Sequence, residues 1–209
     1  MLKLNRDKTE LLVIEPKHKV NPPILKGIYV AGDYFEASSS ARNIGVIFDS
    51  NVNLEKHDMN TCKMAFYHLR NIARIRNCLS QDDAGILVHA SISSKLDSCN
   101  ALLYGLPKSV IDKLQYVQNC AARLVTRTRS SEHVTPVLRR LHWLPVLPVR
   151  QRITYKILLL TYKALNGMAP RYIADLLQPY TPTRQLRSSS KNLLVTPKTN
   201  LKFYAVLRL

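Results

Sequence analysis

Acidic residues are scarce: 14 Asp plus Glu stand against 31 Lys plus Arg in 209 residues, giving a formal charge of +17. The only adjacent acids are Asp82-Asp83, and nucleotidyl transfer by two metal ions needs carboxylates held close together to bind the pair. Ser80-Gln81 precedes that pair and Ala84, Ile86, Leu87 and Val88 follow it, the pattern of a helix first turn with a hydroxyl cap and acids at the positive end. Cys62, Cys78, Cys99 and Cys120 form no C-x-x-C, which excludes a zinc knuckle or a disulfide framework, and buried reduced thiols are expected. The six histidines (His18, His57, His68, His89, His133 and His142) are scattered without an H-E-x-x-H, so no metal site is expected in this chain. Neither G-x-x-x-x-G-K-[ST] nor G-x-G-x-x-G occurs, which removes the usual nucleotide-binding loops. Asp97-Ser98-Cys99-Asn100 has no strand-turn-helix context for a nucleophile and reads as the packed end of a helix.

Long apolar runs are missing as well. Tyr155 to Leu165 is interrupted by Lys156 and Lys163, and the first thirty residues carry early charges, so no membrane span or signal peptide is expected and an intracellular protein is. No repeat at solenoid spacing is present.

What is there divides into three sectors: 1–52, 53–179 and 180–209. In the first, Thr9 to Ile14, Gly27 to Val30 and Ile44 to Phe48 are short apolar runs separated by Asn21-Pro22-Pro23, Gly32-Asp33 and Ser38-Ser39-Ser40, which predicts a small antiparallel sheet. In the second, Cys62, Ala65, Phe66, Leu69, Ile72 and Ala73 recur at helical spacing while Lys63, Arg70 and Arg74 fall on another face. A helix from Ser80 to about Leu96 is expected next. Ser109 then caps a third helix, striped by Val110, Leu114, Val117, Ala121, Leu124 and Val125. A short helix from about Thr135 to Leu141 leads into Trp143-Leu144-Pro145. Pro148 opens a long helix that ends at Leu165, before Asn166-Gly167 and Pro170. The third sector turns irregular and polar. The fold class expected is therefore α+β, mostly α: a small antiparallel sheet, a helical bundle and an irregular C-terminal tail.

The positive signal is charge interleaved with aromatic rings. Lys63, Tyr67, Arg70, Arg74 and Arg76 form one cluster, and Arg123, Arg127 and Arg129 a second. Arg139, Arg140, His142 and Trp143 form a third, and Arg150 and Arg152 a fourth. One such cluster is an ordinary solvated face, with Trp143 in the core. Four together point to a phosphate backbone, which cations grip while aromatics stack bases.

The opening Leu2-Lys3-Leu4-Asn5-Arg6-Asp7-Lys8-Thr9-Glu10 resembles the Leu-Asn-x-x-Lys-Thr-Glu segment of reverse transcriptases from non-LTR (LINE-type) retrotransposons. In the family's order follow Ala41 to Asp49 (ARNIGVIFD), His68 to Ala73 (HLRNIA), Leu96 to Pro107 (LDSCNALLYGLP), Leu114 to Arg123 (LQYVQNCAAR), Leu141 to Val146 (LHWLPV) and Tyr162 to Gly167 (YKALNG). The series spans nearly the whole chain.

The resemblance implies that 1–52 is the end of a polymerase palm, with Ile44, Gly45 and Val46 in a primer-grip-like element. It implies that 53–179 is a helical thumb holding a template-primer duplex of RNA and DNA, and that 180–209 is an extension. Lys8 matches a lysine placed near the leaving pyrophosphate, an accessory role. The fingers and the aspartate pair would lie upstream of Met1, in a polymerase domain that would be a partner if a longer protein exists, and Mg2+ is expected only there. Ser98 stands where the family often has an aromatic residue, and the chain ends before the family's usual terminus, as in a partial or decayed gene copy.

The chain is thus expected to bind template-primer nucleic acid without polymerising alone. The other readings are a non-catalytic nucleic-acid-binding helical module and a non-functional translated remnant.

Overall fold

The structure is a computed structural model and describes residues 5–14, 25–141, 149–182, 184 and 193–195. The chain divides into two compact units at Val149/Arg150.

The first unit begins with strands: β1 (Leu11–Leu12), β2 (Gly27–Val30), β3 (Asp33–Ser38), β4 (Ser40–Asn43) and β5 (Val46–Asp49). β2 and β3 pair antiparallel, with Ile28 opposite Phe35, and so do β4 and β5, with Arg42 opposite Ile47. Ala31-Gly32 and Ile44-Gly45 join the two hairpins, all four residues at positive φ, the geometry of a two-residue turn that matches strand twist. The expected antiparallel sheet is therefore two hairpins, and β1 departs from it by running parallel to β3, with Leu11 opposite Ala37. Three further corrections apply to the first sector. The expected strand over Thr9 to Ile14 shrinks to two residues. Ser40 to Asn43, whose first residue reads as part of a turn and whose other three fall between the expected elements, forms β4. Ile44 and Gly45, expected in a strand, are the tip of a turn, where Ile44 is 90% exposed. Across β2 and β3 only Phe35 is buried, so this sheet contributes little core.

The helices are α1 (Glu55–Ile75), α2 (Gln81–Val88), α3 (Ser94–Asp97), α4 (Lys108–Thr126) and α5 (Val134–Arg140). Ser80 caps α2 as the sequence predicts: its hydroxyl oxygen accepts from the Asp83 N–H at 3.1 Å and donates to the Asp83 carboxylate at 2.7 Å. Asp82-Asp83 are thus first-turn residues. A π-helical turn, His89–Ser93, joins α2 to α3 in one rod. The reason lies in the spacing of the buried residues Ala84, Val88, Ile92 and Leu96. Steps of four drift by about 40° each around an α-helix, and a wider turn absorbs the surplus residue and keeps all four on one face.

α1 and α4 run parallel. Phe66 and Tyr116 pack near the middle with ring centroids 6.0 Å apart, and the Arg76 side chain just beyond α1 reaches the last turn of α4. The rod between them is the return stroke. The core is Ala65, Leu69 and Ile72 of α1, the four rod residues, and Val110, Ile111, Leu114, Val117, Ala121, Ala122 and Val125 of α4, with Val137 and Leu138 of α5. Ala73 and Leu124, expected in the stripes, are exposed and half-buried. Ser109 does not cap α4: Pro107 occupies the cap position and no side chain bonds there. Nor are the thiols buried as expected; all four are free, Cys78 and Cys99 are exposed and Cys62 and Cys120 half-buried. Asp97-Ser98-Cys99-Asn100 is the end of the rod, with Cys99 in the left-handed conformation and Asn100 buried.

The second unit contains most of α6 (Val149–Leu165) and α7 (Arg171–Ala174), a helix the sequence reading did not predict. α6 stops where expected: Gly167 takes φ 68° and the Met168 N–H donates to the Lys163 carbonyl at 2.8 Å, a left-handed C-cap. Pro179 and Leu194 form an isolated antiparallel bridge. Trp143, Pro148, His18, His142 and the Ser188 to Ser190 run lie outside the described residues. Among the described residues, no helix is long and apolar enough to cross a membrane.

Candidate nucleic-acid interface

One face of α1 is cationic for its whole length. At about 100° per residue, Lys63, Arg70 and Arg74 fall within about 40° of one another, and Tyr67 lies among them. All four side chains are exposed. None of the three cations is in an ion pair among the described residues, where the pairs seen are Lys108–Asp112 on α4 and Arg171–Asp175 at α7. Lys56, which sequence reading missed, extends the same face by one heptad and donates from Nζ to the Ser39 hydroxyl at 3.1 Å. Its seven-residue spacing from Lys63 and Arg70 was the available signal.

Arg76 is different. Grouped with these cations by sequence, it is only 7% exposed. Its guanidinium donates to the carbonyls of Leu124 at 3.0 Å, Val125 at 2.6 Å and Leu79 at 2.8 Å. A helix leaves its last carbonyls without intrahelical partners, and Leu124 and Val125 are two of these at the end of α4. Thr128 N–H takes a third, on Arg123, at 3.1 Å. Arg76 is therefore a structural staple between α1 and α4, its guanidinium turned inward where that of Arg70 faces solvent.

Arg127 closes the other side of this junction. It sits at φ 55° as the C-cap of α4, and its Nη2 donates to the Arg76 carbonyl at 3.1 Å. That bond ties Arg127 to the junction of α1 and α4 beside Arg76. Arg123 is half-buried and donates from Nη2 to the Glu132 carbonyl at 3.1 Å, which holds it against the loop before α5. Arg129 is exposed, its backbone N–H bonded to the Glu132 carboxylate at 3.2 Å. Arg139 and Arg140 are exposed in the last turn of α5, where cations suit the negative helix end. Lys8 ends a short 3-10 turn, Arg6–Lys8, ahead of β1. Of the named residues, then, Lys63, Arg70 and Arg74 share one exposed face of α1, whereas Arg127 sits at the α1–α4 junction, Arg123 in the last turn of α4 and Arg129 in the loop after it.

At the N-terminal end of α1 the β4–β5 hairpin meets the helix. The Ile47 N–H donates to His57 Nδ1 at 3.4 Å, so this ring nitrogen is an acceptor and the imidazole is neutral. Burial, with Arg42 as a second cause, lowers the His57 pKa. Next to it, Asp58 is 1% exposed and its Oδ1 lacks a hydrogen-bond partner. Burial raises its pKa to about 6 against the opposing pull of Lys113. Burial, helped by Asp58, also pushes the Cys62 thiol up to about 11, which makes it a poor nucleophile at neutral pH. Val46 is buried, and Ile44 and Gly45 project at the hairpin tip.

Among the described residues, no three His, Cys, Asp or Glu side chains are grouped to hold a metal ion. In comparisons with protein-family models, curated proteins and solved structures, nothing matches this chain.

Proposed function

We propose that this chain is the C-terminal part of a non-LTR-type reverse transcriptase, and that it grips template-primer nucleic acid without polymerising by itself. The observation that carries the binding half is the α1 face: Lys63, Arg70 and Arg74 aligned, exposed and without counter-charge among the described residues. A face of this kind pays no desolvation of a neighbouring carboxylate when a phosphate arrives, and each contact releases condensed counterions. Support for the family half is the ordered series of motifs in the sequence. Asp83 bonds the Ser80 hydroxyl at the α2 cap and Asp82 lies in the same first turn, so this adjacent pair reads as helix-end residues, and on the family reading Mg2+ would be held by an upstream polymerase domain.

Two measurements test the reading. Primer extension on a poly-rA template with Mg2+ or Mn2+ is expected to give no incorporation above a no-protein control, and incorporation would overturn the inactive half. Binding to duplex DNA, followed by fluorescence anisotropy across salt concentrations, is expected to weaken steeply with salt, and a flat response would overturn the binding half. The remnant reading differs in its consequence: it predicts rapid proteolysis of the N-terminal strands, whose face is little buried.

A further inference from the structure

The cationic face of α1 carries an aromatic ring at its centre, and that ring bears on which nucleic acid the face takes. Tyr67 is 51% exposed and lies four residues after Lys63 and three before Arg70, on the same side of the helix. Along the axis it is about 6 Å from Lys63 and about 4.5 Å from Arg70. The His68 ring meets it edge-on, with centroids 5.5 Å apart and planes at 73°, and the Tyr67 side chain stays open to solvent.

In a duplex the faces of the bases are covered by their neighbours, so a tyrosine on a convex helix meets only sugar and phosphate edges. In an unpaired strand every base offers a π-face, and cations on either side hold the flanking phosphates while the ring takes the base between them. Alternation of cation, ring and cation is thus the arrangement that a single strand rewards and a duplex does not.

We infer that Lys63, Tyr67, Arg70 and Arg74 form a site for unpaired nucleic acid, with Tyr67 stacking one base and the three cations fixing the backbone around it. This rests on the nucleic-acid reading of the same face. It adds the unpaired strand as the ligand class and Tyr67 as the selecting residue.

The test uses the full chain with two fluorescent probes, a short poly-dT strand and a blunt duplex, at fixed low salt. Tyr67→Ala is expected to weaken poly-dT binding by roughly five- to a hundred-fold, the range equivalent to a base–aromatic stack. It is expected to leave duplex binding within about twofold, and Tyr67→Phe, which keeps the ring, is expected to bind poly-dT like the wild type. Because Tyr67 is exposed, the variants keep the core intact, and circular dichroism checks this. Equal loss on both probes, no loss on poly-dT, or a Phe variant as weak as the Ala variant would overturn the inference while leaving the general reading standing. If the wild type binds neither probe, the general reading falls with it.

Discussion

Arg76 sets the terms at the scale of single residues. Substituting it with Ala leaves the Leu124 and Val125 carbonyls without donors in a buried junction, and hydrogen bonds to a charged group are worth about 1.5–3 kcal/mol each. Arg76→Ala is therefore expected to lower stability by about 3 kcal/mol in urea denaturation, well beyond Arg70→Ala, whose exposed side chain is expected to cost under about 0.5 kcal/mol. Equal effects would remove the distinction between staple and surface cation. Asp58 gives a pH signature. Its folded pKa of about 6 lies above its ordinary 3.8, so the folded state holds the extra proton and its contribution is full below 3.8 and lost as pH rises through 6. His57 has the opposite sign: its pKa is lowered in the fold, so its contribution is present above its ordinary 6.5 and lost on acidification. Asp58→Asn is expected to raise Tm at pH 7 and to leave a stability profile that only falls as pH drops from 6.5, measured by thermal melts across pH 4–8. A variant less stable than the wild type at pH 7 would mean that Lys113 outweighs burial.

Between residues and molecule stand the helices, and here the spacing of Ala84, Val88, Ile92 and Leu96 is the instructive case. Removing Ala90, an exposed residue inside the π turn, leaves steps of four, three and four, which suit a plain α-helix. The deletion is expected to keep cooperative unfolding, whereas Leu114→Ala, at a fully buried position of α4, is expected to cost about 2–5 kcal/mol. Loss of cooperativity in the deletion, seen by circular dichroism, would refute this account of the rod. The helices were legible because their signals are local: the Ser80 cap, the Asn166-Gly167 stop and the α1 stripe are each written within a few residues. Parts of the strands were not. Ser40-Ala41-Arg42-Asn43 has almost no β-propensity and is a strand because Val46 to Asp49 lies opposite, and Leu11-Leu12 pairs with a strand 26 residues away. Arg76 was misassigned for the same reason, since its partners are some 48 residues distant and charge alone gives no hint of burial.

For the molecule as a whole, the +17 charge becomes informative only once its members are sorted. Arg76 holds the helix junction, Arg123 braces a loop, and Lys63, Arg70 and Arg74 remain aligned, exposed and unpaired by acids among the described residues. The central claim is that these three grip phosphates. The most direct measurement is the slope of log affinity against log salt for duplex DNA, between about 50 and 200 mM, in the wild type and in a Lys63→Ala, Arg70→Ala, Arg74→Ala triple variant. With about five phosphates neutralised the wild-type slope is expected near −4.5, at about −0.9 per contact, and the triple variant is expected to flatten it by about 2.7 with little change in stability. An unchanged slope in the triple variant, or a flat slope in the wild type, would contradict the account.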